Sequence, residues 1–244
     1  MDAATITPVT RKTQIEEVII AGDYPAVRKG LGLPPNSKLV DRVTVSRVNL
    51  LKKGNENEKW RPHVVWVDTS DLTRKIQDFG PEEIAERVAK EKARRYLAGD
   101  VAATVIGIMH VVSVELDSGT RVLLTEDDHC PPDISGKPGK VHVGACLLRM
   151  VSTGKRTRPF FREVAIPMDV RETSFRFGGF DMKKLKKLLK FDSRNCAGIP
   201  ARNAFSTNLT SLIDMPDRER VYNFLAEETE RIWECALGHL EPEE

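Results

Sequence analysis

The sequence lacks the short motifs that mark most enzymes dependent on a nucleotide or on zinc. It has no glycine-rich phosphate loop, no nucleophile elbow, no H-E-x-x-H pair and no dinucleotide-binding fingerprint. Cysteine is also scarce, with four residues and no C-x-x-C pair. Because so few cysteines do not make a disulfide scaffold, we expect reduced thiols. We predict neither a cofactor nor a metal ion.

Long apolar runs are missing as well. The longest stretch without a charged residue covers residues 101–114. As a helix it would span about 21 Å, whereas the core of a bilayer measures about 30 Å. The chain begins Met1-Asp2-Ala3, without a basic segment followed by an apolar block, so no secretory signal is expected. We therefore predict a protein of the cytoplasm or nucleus with no transmembrane segment.

The composition is that of an ordinary globular protein. The 244 residues are 40% hydrophobic and 30% charged, which argues against a largely disordered chain. This length accommodates one large domain or two small ones.

Charge is distributed unevenly along the chain, although the formal net charge is only +2. Residues 1–148 carry 21 basic and 21 acidic side chains. Residues 149–202, called the basic segment here, carry 14 basic and 5 acidic side chains. Residues 214–244 carry 3 basic and 10 acidic side chains. The basic segment predicts an anionic partner, which could be nucleic acid, an anionic membrane or an acidic protein surface.

Hydrophobic spacing predicts helices in the first half and at the end of the chain. Residues 13–21 fit a short helix, and Pro81–Leu97 has the clearest helical pattern, with acidic residues in its first turn and basic residues near its end. A short basic helix is predicted over residues 181–190. A long acidic helix is predicted over residues 216–237.

Between these helices the pattern changes to short apolar runs separated by turns. The runs are residues 101–114, 122–125, 141–150 and 160–166. We predict an α+β fold whose β-rich core is an antiparallel sheet, a sandwich or a barrel, with flanking helices and a helical C-terminus. Residues 1–180 are expected to form the main domain, and residues 181–244 a C-terminal helical extension packed on it.

The strongest candidate binding segment is the basic helix over residues 181–190. Its apolar residues fall on one side at helical spacing. Lysines cover the rest, namely Lys183, Lys184, Lys186 and Lys187. Such a helix can dock through its leucines and present the lysines to phosphates, with an affinity that depends on salt. The same pattern fits a helix lying on an anionic membrane, or a structural helix with a solvated cationic face.

A second basic stretch precedes this helix and is predicted to be the tip of a hairpin between two strands. Arg156 and Arg158 are expected to bind phosphates, and Phe160 to stack on an exposed base. Alternatively, Phe160 and Phe161 alternate across the following strand, with one of them in the core. Because the chain has no RNP-type aromatic motif, no sequence-specific recognition is predicted.

An acidic stretch before a proline pair offers a divalent-metal site as an alternative. Asp127 and Asp128 supply carboxylates beside His129, although turn chemistry explains the same residues. A zinc site built from His142 and Cys146 is disfavoured, because strand geometry places these two residues about 13 Å apart.

These observations together predict a non-enzymatic protein that binds RNA or DNA through the basic segment, as a matrix- or capsid-like component of cellular or viral origin would. Self-assembly into a homo-oligomer, through the acidic C-terminal helix and the basic segment, is a further expectation. The predicted contact residues are Arg156, Arg158, Phe160, Lys183, Lys184, Lys186 and Lys187. One alternative is a metal-dependent phosphodiester hydrolase that uses Asp127, Asp128, His129 and Glu163. The other is a peripheral protein that binds anionic membranes.

Overall fold

The computed structural model of the chain describes residues 16–22, 25–33, 60–65, 67, 69, 72, 76, 78–97, 104–123, 134–153, 160–178 and 213–240. Within them the strands are β1 (Glu16–Ala21), β2 (Trp60–Val65), β3 (Thr104–Leu116), β4 (Gly119–Leu123), β5 (Pro138–Thr153) and β6 (Phe160–Arg176). The helices are α1 (Pro25–Gly30), α2 (Pro81–Leu97) and α3 (Met215–Leu240). None of these three helices combines the length and the apolar character needed to cross a bilayer.

The six strands belong to one open, mixed sheet in the order β2-β1-β3-β5-β6, and β4 pairs with β3 beside this path. β1 runs parallel to β2 and to β3. The remaining neighbours, which are β3 with β4, β3 with β5 and β5 with β6, are antiparallel. This arrangement confirms the α+β fold predicted from the sequence. Of the three forms expected for the β-rich core, the sheet is present, and it is mixed because β1 is parallel to both of its neighbours.

The first strand differs from the sequence prediction, which placed a helix over residues 13–21. Val18 and Ile20 belong to the core shared with α1 and α3, whereas Ile19 and Ala21 pack toward α2. A strand that is covered on both faces needs a nearly continuous apolar run, without the alternation that identifies a half-exposed strand. Because a short run of this kind cannot be told from a buried helical segment, the helix prediction was wrong for β1.

Helices cover both faces of the sheet. α2 packs on β3 and β5 through Ile84, Ala85 and Val88, and its bounds are those predicted. α1 and α3 pack on each other and share the core of the opposite face. The predicted acidic C-terminal helix is confirmed as α3, which is slightly longer at both ends.

Two glycines bring α2 close to the sheet. A Cβ atom at Gly144 of β5 would lie 2.5 Å from the carbonyl carbon of Ala85, and one at Gly107 of β3 would overlap the carbonyl oxygen of Ala89. A larger residue at either position would push the helix away from the strands. The first turns of α2 are therefore held directly over β5.

The boundary predicted at residue 180 and the basic helix over residues 181–190 lie outside the described residues. Within the described part, α3 contributes Val221, Leu225 and Ile232 to the same core as the sheet. The division into a main domain and a C-terminal extension remains a prediction.

Candidate functional site

Most residues predicted to contact nucleic acid lie outside the described part of the chain. These are Arg156, Arg158, Lys183, Lys184, Lys186 and Lys187. Phe160 is the first residue of β6, and its backbone pairs with Thr153 at the end of β5. The acidic stretch of Asp127, Asp128 and His129 is also outside the described residues.

The predicted basic hairpin is present. β5 and β6 pair up to Thr153 and Phe160, and residues 154–159, which join them, include three basic residues. Within the described residues the pairing of β5 with β3 extends to Arg149, opposite Thr104, and residues 101–103 before Thr104 lie outside the described part of the chain.

This end of the hairpin, residues 150–153 and 160–163, is called the arm. Arg162 is exposed in the arm, and its side chain makes no hydrogen bond or ion pair with any described residue. The next residue, Glu163, accepts two hydrogen bonds from Arg94 of α2, from Nη2 to Oε1 at 2.6 Å and from Nε to Oε2 at 3.2 Å. Within the described part of the chain the charge of Arg162 thus has no acidic partner, while Glu163 ties the arm to α2.

The ion pair also affects the hydrolase alternative, in which Glu163 was a candidate residue. The hydrogen bond from Arg94 lowers the pKa of the Glu163 carboxyl, and the same bond raises the pKa of the guanidinium. Both oxygens of this carboxylate are occupied by the guanidinium. Glu163 is therefore a structural anchor in this arrangement.

A second polar cluster lies on the face of the sheet that α2 covers. His142 of β5 and Glu172 of β6 are opposite each other in strand register, and Nδ1 of the imidazole lies 3.1 Å from Oε2 of the carboxylate. Nε2 of the same ring shares a hydrogen bond of 3.0 Å with Oγ of Ser113 on β3. Lys140, two residues before His142, donates a hydrogen bond of 2.7 Å to Oε1 of Glu172.

Glu82 completes this group, which is called the His142 cluster. It is the second residue of α2, and the close packing of Ala85 on Gly144 holds that turn of the helix over β5. One ligand atom each from Glu82, His142 and Glu172 lies within 4.8 Å of the others. The His142 side chain is only 2% exposed, whereas both glutamates reach the solvent.

Burial dominates the electrostatics of the cluster. Desolvation lowers the pKa of His142, although the negative charges of Glu172 and Glu82 act in the opposite direction. The imidazole is therefore neutral near pH 7 and has one nitrogen with a lone pair. Nδ1 makes no hydrogen bond within the described residues, although it lies 3.1 Å from Oε2 of Glu172.

The order Ser113–His142–Glu172 has the connectivity of a nucleophile, a base and an orienting carboxylate. However, Ser113 is only 1% exposed and lies within β3, where strands pair with it on both edges. A substrate carbonyl cannot reach its Oγ. The arrangement is therefore unsuited to acyl transfer, and the hydroxyl serves to hold the imidazole ring.

Of the His142 cluster, the sequence pattern indicated only His142 as a candidate metal ligand, and it did so in combination with Cys146. Burial raises the pKa of the Cys146 thiol, which donates a weak bond to the Leu147 carbonyl. The neighbours of His142 instead come from β6 and α2, which no short motif connects. Polar residues at alternate positions of an apolar strand, Lys140 and His142, are the signal that could have indicated the site.

No protein-family model matches this chain, and no curated protein matches it either.

Proposed function

We propose that this protein binds nucleic acid through the arm and the basic segment to which it belongs. One observation carries the proposal. β5 and β6 pair as an antiparallel hairpin up to Thr153 and Phe160, and the residues that join them include Lys155, Arg156 and Arg158.

A two-stranded hairpin with basic residues at its end is suited to binding a polyanion, both by its shape and by its charge. The major groove of B-form DNA admits a two-stranded β-ribbon. Basic side chains at its end would contact phosphates and release bound counterions, so that affinity falls steeply as salt rises. Arg162, exposed and without a described partner, adds to this charge. Phe160 is proposed to stack on bases of single strands.

The orientation of the acidic helix α3 supports this assignment. Its exposed glutamates form a stripe of Glu219, Glu227, Glu230 and Glu234. These residues lie on the side opposite the helix's buried face, so nucleic acid is expected to bind elsewhere on the molecule. The same stripe offers a surface for the basic segment of a second copy. Head-to-tail self-assembly therefore remains part of the proposal.

Fluorescence anisotropy tests the proposal directly. Purified protein is titrated against labelled single- and double-stranded DNA and RNA at low and at physiological salt. We expect binding to at least one of the four that weakens steeply as the salt concentration rises. Absence of binding to all four at low salt would refute the proposal.

A matched pair of variants tests the role of the basic residues that join β5 and β6. Arg156→Ser combined with Arg158→Ser should reduce the slope of log K against log salt by roughly 2 on duplex DNA, about 0.9 for each lost phosphate contact. Arg87→Ser combined with Lys90→Ser removes the same charge from described positions of α2, outside the basic segment, and should leave the slope unchanged. An equal reduction in both variants would contradict a specific role of Arg156 and Arg158.

The lysines of residues 181–190 are tested separately. Serine at Lys183, Lys184, Lys186 and Lys187 should weaken binding to all sequences alike and flatten the salt dependence further. Unchanged affinity would remove these residues from the proposal. Flotation with anionic vesicles tests the membrane alternative. That alternative predicts that the protein floats with the vesicles and that added nucleic acid does not displace it.

A further inference from the structure

We propose that Glu82, His142 and Glu172 form a binding site for one divalent ion of a first-row transition metal, independently of nucleic-acid binding. Two exposed carboxylates alone would not define such a site. The decisive feature is Nδ1 of His142, which is buried, lies 3.1 Å from Oε2 of Glu172 and makes no hydrogen bond among the described residues. Because a buried polar atom left without a bond costs free energy, an ion at this position would satisfy it.

The spacing of the ligand atoms fits a single ion. One ligand atom from each of the three residues lies within 4.8 Å of the other two. Bonds of about 2.0–2.2 Å from nitrogen or oxygen to a metal such as zinc place two ligand atoms at most about 4.4 Å apart. The exposed side chain of Glu82 is able to rotate at the start of α2 and close the remaining gap.

Neighbouring side chains already orient the ligands. When Nε2 of His142 carries the proton and donates it to Ser113 Oγ, the lone pair of the ring is on Nδ1. Lys140 holds Oε1 of Glu172, which leaves Oε2 directed toward the imidazole. Bonds of this kind behind the ligands fix their orientation in known metal sites.

The donor set indicates the class of ion. Calcium and magnesium favour sites made of oxygen atoms only, whereas an imidazole nitrogen suits zinc, iron, copper or nickel. Two carboxylates balance the charge of a divalent cation. Because both glutamates reach the solvent, water molecules are able to complete the coordination.

Isothermal titration of the chelator-treated full chain with Zn²⁺ tests the site. We expect one ion per chain to bind at this position, and Glu82→Gln and Glu172→Gln each to weaken its affinity by at least about tenfold. Both glutamates are exposed, so both variants are expected to fold, which circular dichroism verifies. Glu83→Gln is the matched control, because Glu83 follows Glu82 on α2 and pairs with Arg87 instead.

Co²⁺ supplies a second measurement in a Cys235→Ser background, which removes an exposed thiol that could compete for the ion. A visible absorption spectrum with nitrogen and oxygen ligands is expected in this background and should be lost with Glu172→Gln. Any of three results would overturn the proposal: no stoichiometric Zn²⁺ binding, undiminished affinity in Glu82→Gln and Glu172→Gln, or an equal loss in Glu83→Gln.

Discussion

Arg94 and Glu163 connect helix α2 to the arm through two hydrogen bonds, of 2.6 and 3.2 Å. Arg94 lies in the last turn of α2, and Glu163 lies in the part of β6 opposite Met150, past the last described pairing of β5 with β3. The pair therefore ties the arm to α2. We expect it to contribute to the stability of the fold.

A double-mutant cycle of Arg94→Gln and Glu163→Gln measures this contribution. The side chains are 47% and 34% exposed, so the coupling should be only about 0.2–1 kcal/mol. Because the folded pKa of Glu163 is below its ordinary value of 4.5, this stability is fully present above that value and is lost as pH falls through the lowered pKa. Urea unfolding from neutral to acidic pH checks both statements, and a coupling that persists in acid would contradict them.

The buried imidazole of His110 in β3 should make the stability of the protein depend on pH over a second, broader range. Burial lowers the pKa of its imidazole from 6.5 to about 3, and repulsion from Lys92 adds to the effect. Between these two values the unfolded chain takes up a proton that the folded chain does not. Stability is therefore fully present above the unfolded pKa of 6.5 and declines as pH falls toward the folded value of about 3.

His110→Gln should reduce the decline in stability over this range, because glutamine has no proton to gain. Urea unfolding at several pH values between about 4 and 7 measures the slope that linkage predicts. His239→Gln, at an exposed position near the end of α3, is the control and should leave the slope as it is. A slope unaltered by His110→Gln would mean that other groups cause the acid sensitivity.

Alanine substitutions at Gly144, beneath α2, and at Gly238, within α3, should change stability in opposite directions. Gly144→Ala should destabilise the protein by about 1–3 kcal/mol, because its Cβ would meet the backbone of Ala85. Gly238→Ala in α3 meets no atom within 4 Å and should stabilise the helix by about 0.5–1 kcal/mol. Thermal unfolding measures the change in stability of each variant. Equal changes would show that α2 can move away from β5 at no cost in free energy.

Local signals explain which elements the sequence predicts correctly. α2 carries Pro81 and two glutamates at its start and an apolar stripe along one face, so its bounds follow from neighbouring residues alone. β1 has no such signal, because its apolar run is explained only by helices on both faces and strands on both edges. Its parallel pairing with β2 and β3 depends on contacts between distant parts of the chain.

The His142 cluster was beyond prediction for a similar reason. His142 lies opposite Glu172 because of the register between β5 and β6, and this register shifts at a bulge near Val143. The position of Glu82 depends on how closely α2 approaches Gly144. The basic hairpin, in contrast, could be predicted because its two strands and the turn between them are consecutive in the chain.

Asp217 predicts how firmly α3 is attached to the sheet. Its carboxylate accepts a 2.8 Å hydrogen bond from Nη2 of Arg220 and another of 2.8 Å from the backbone N–H of Arg176, at the end of β6. These bonds, that of Arg220 first, lower the pKa of Asp217. Asp217→Asn should therefore reduce stability by about 1 kcal/mol near pH 7. Glu219→Gln, which removes an exposed charge from the same helix, should cost much less.

The difference in stability between Asp217→Asn and the parent protein should itself depend on pH. Because the folded pKa of Asp217 is below its ordinary value of 3.8, the contribution of its charged form is complete above that value. It disappears as pH falls through the lowered pKa, where the carboxyl is protonated in both states. Unfolding curves of Asp217→Asn and the parent should converge in strong acid. Curves that remain equally far apart at every pH would show that packing, and not the charge of Asp217, attaches α3 to β6.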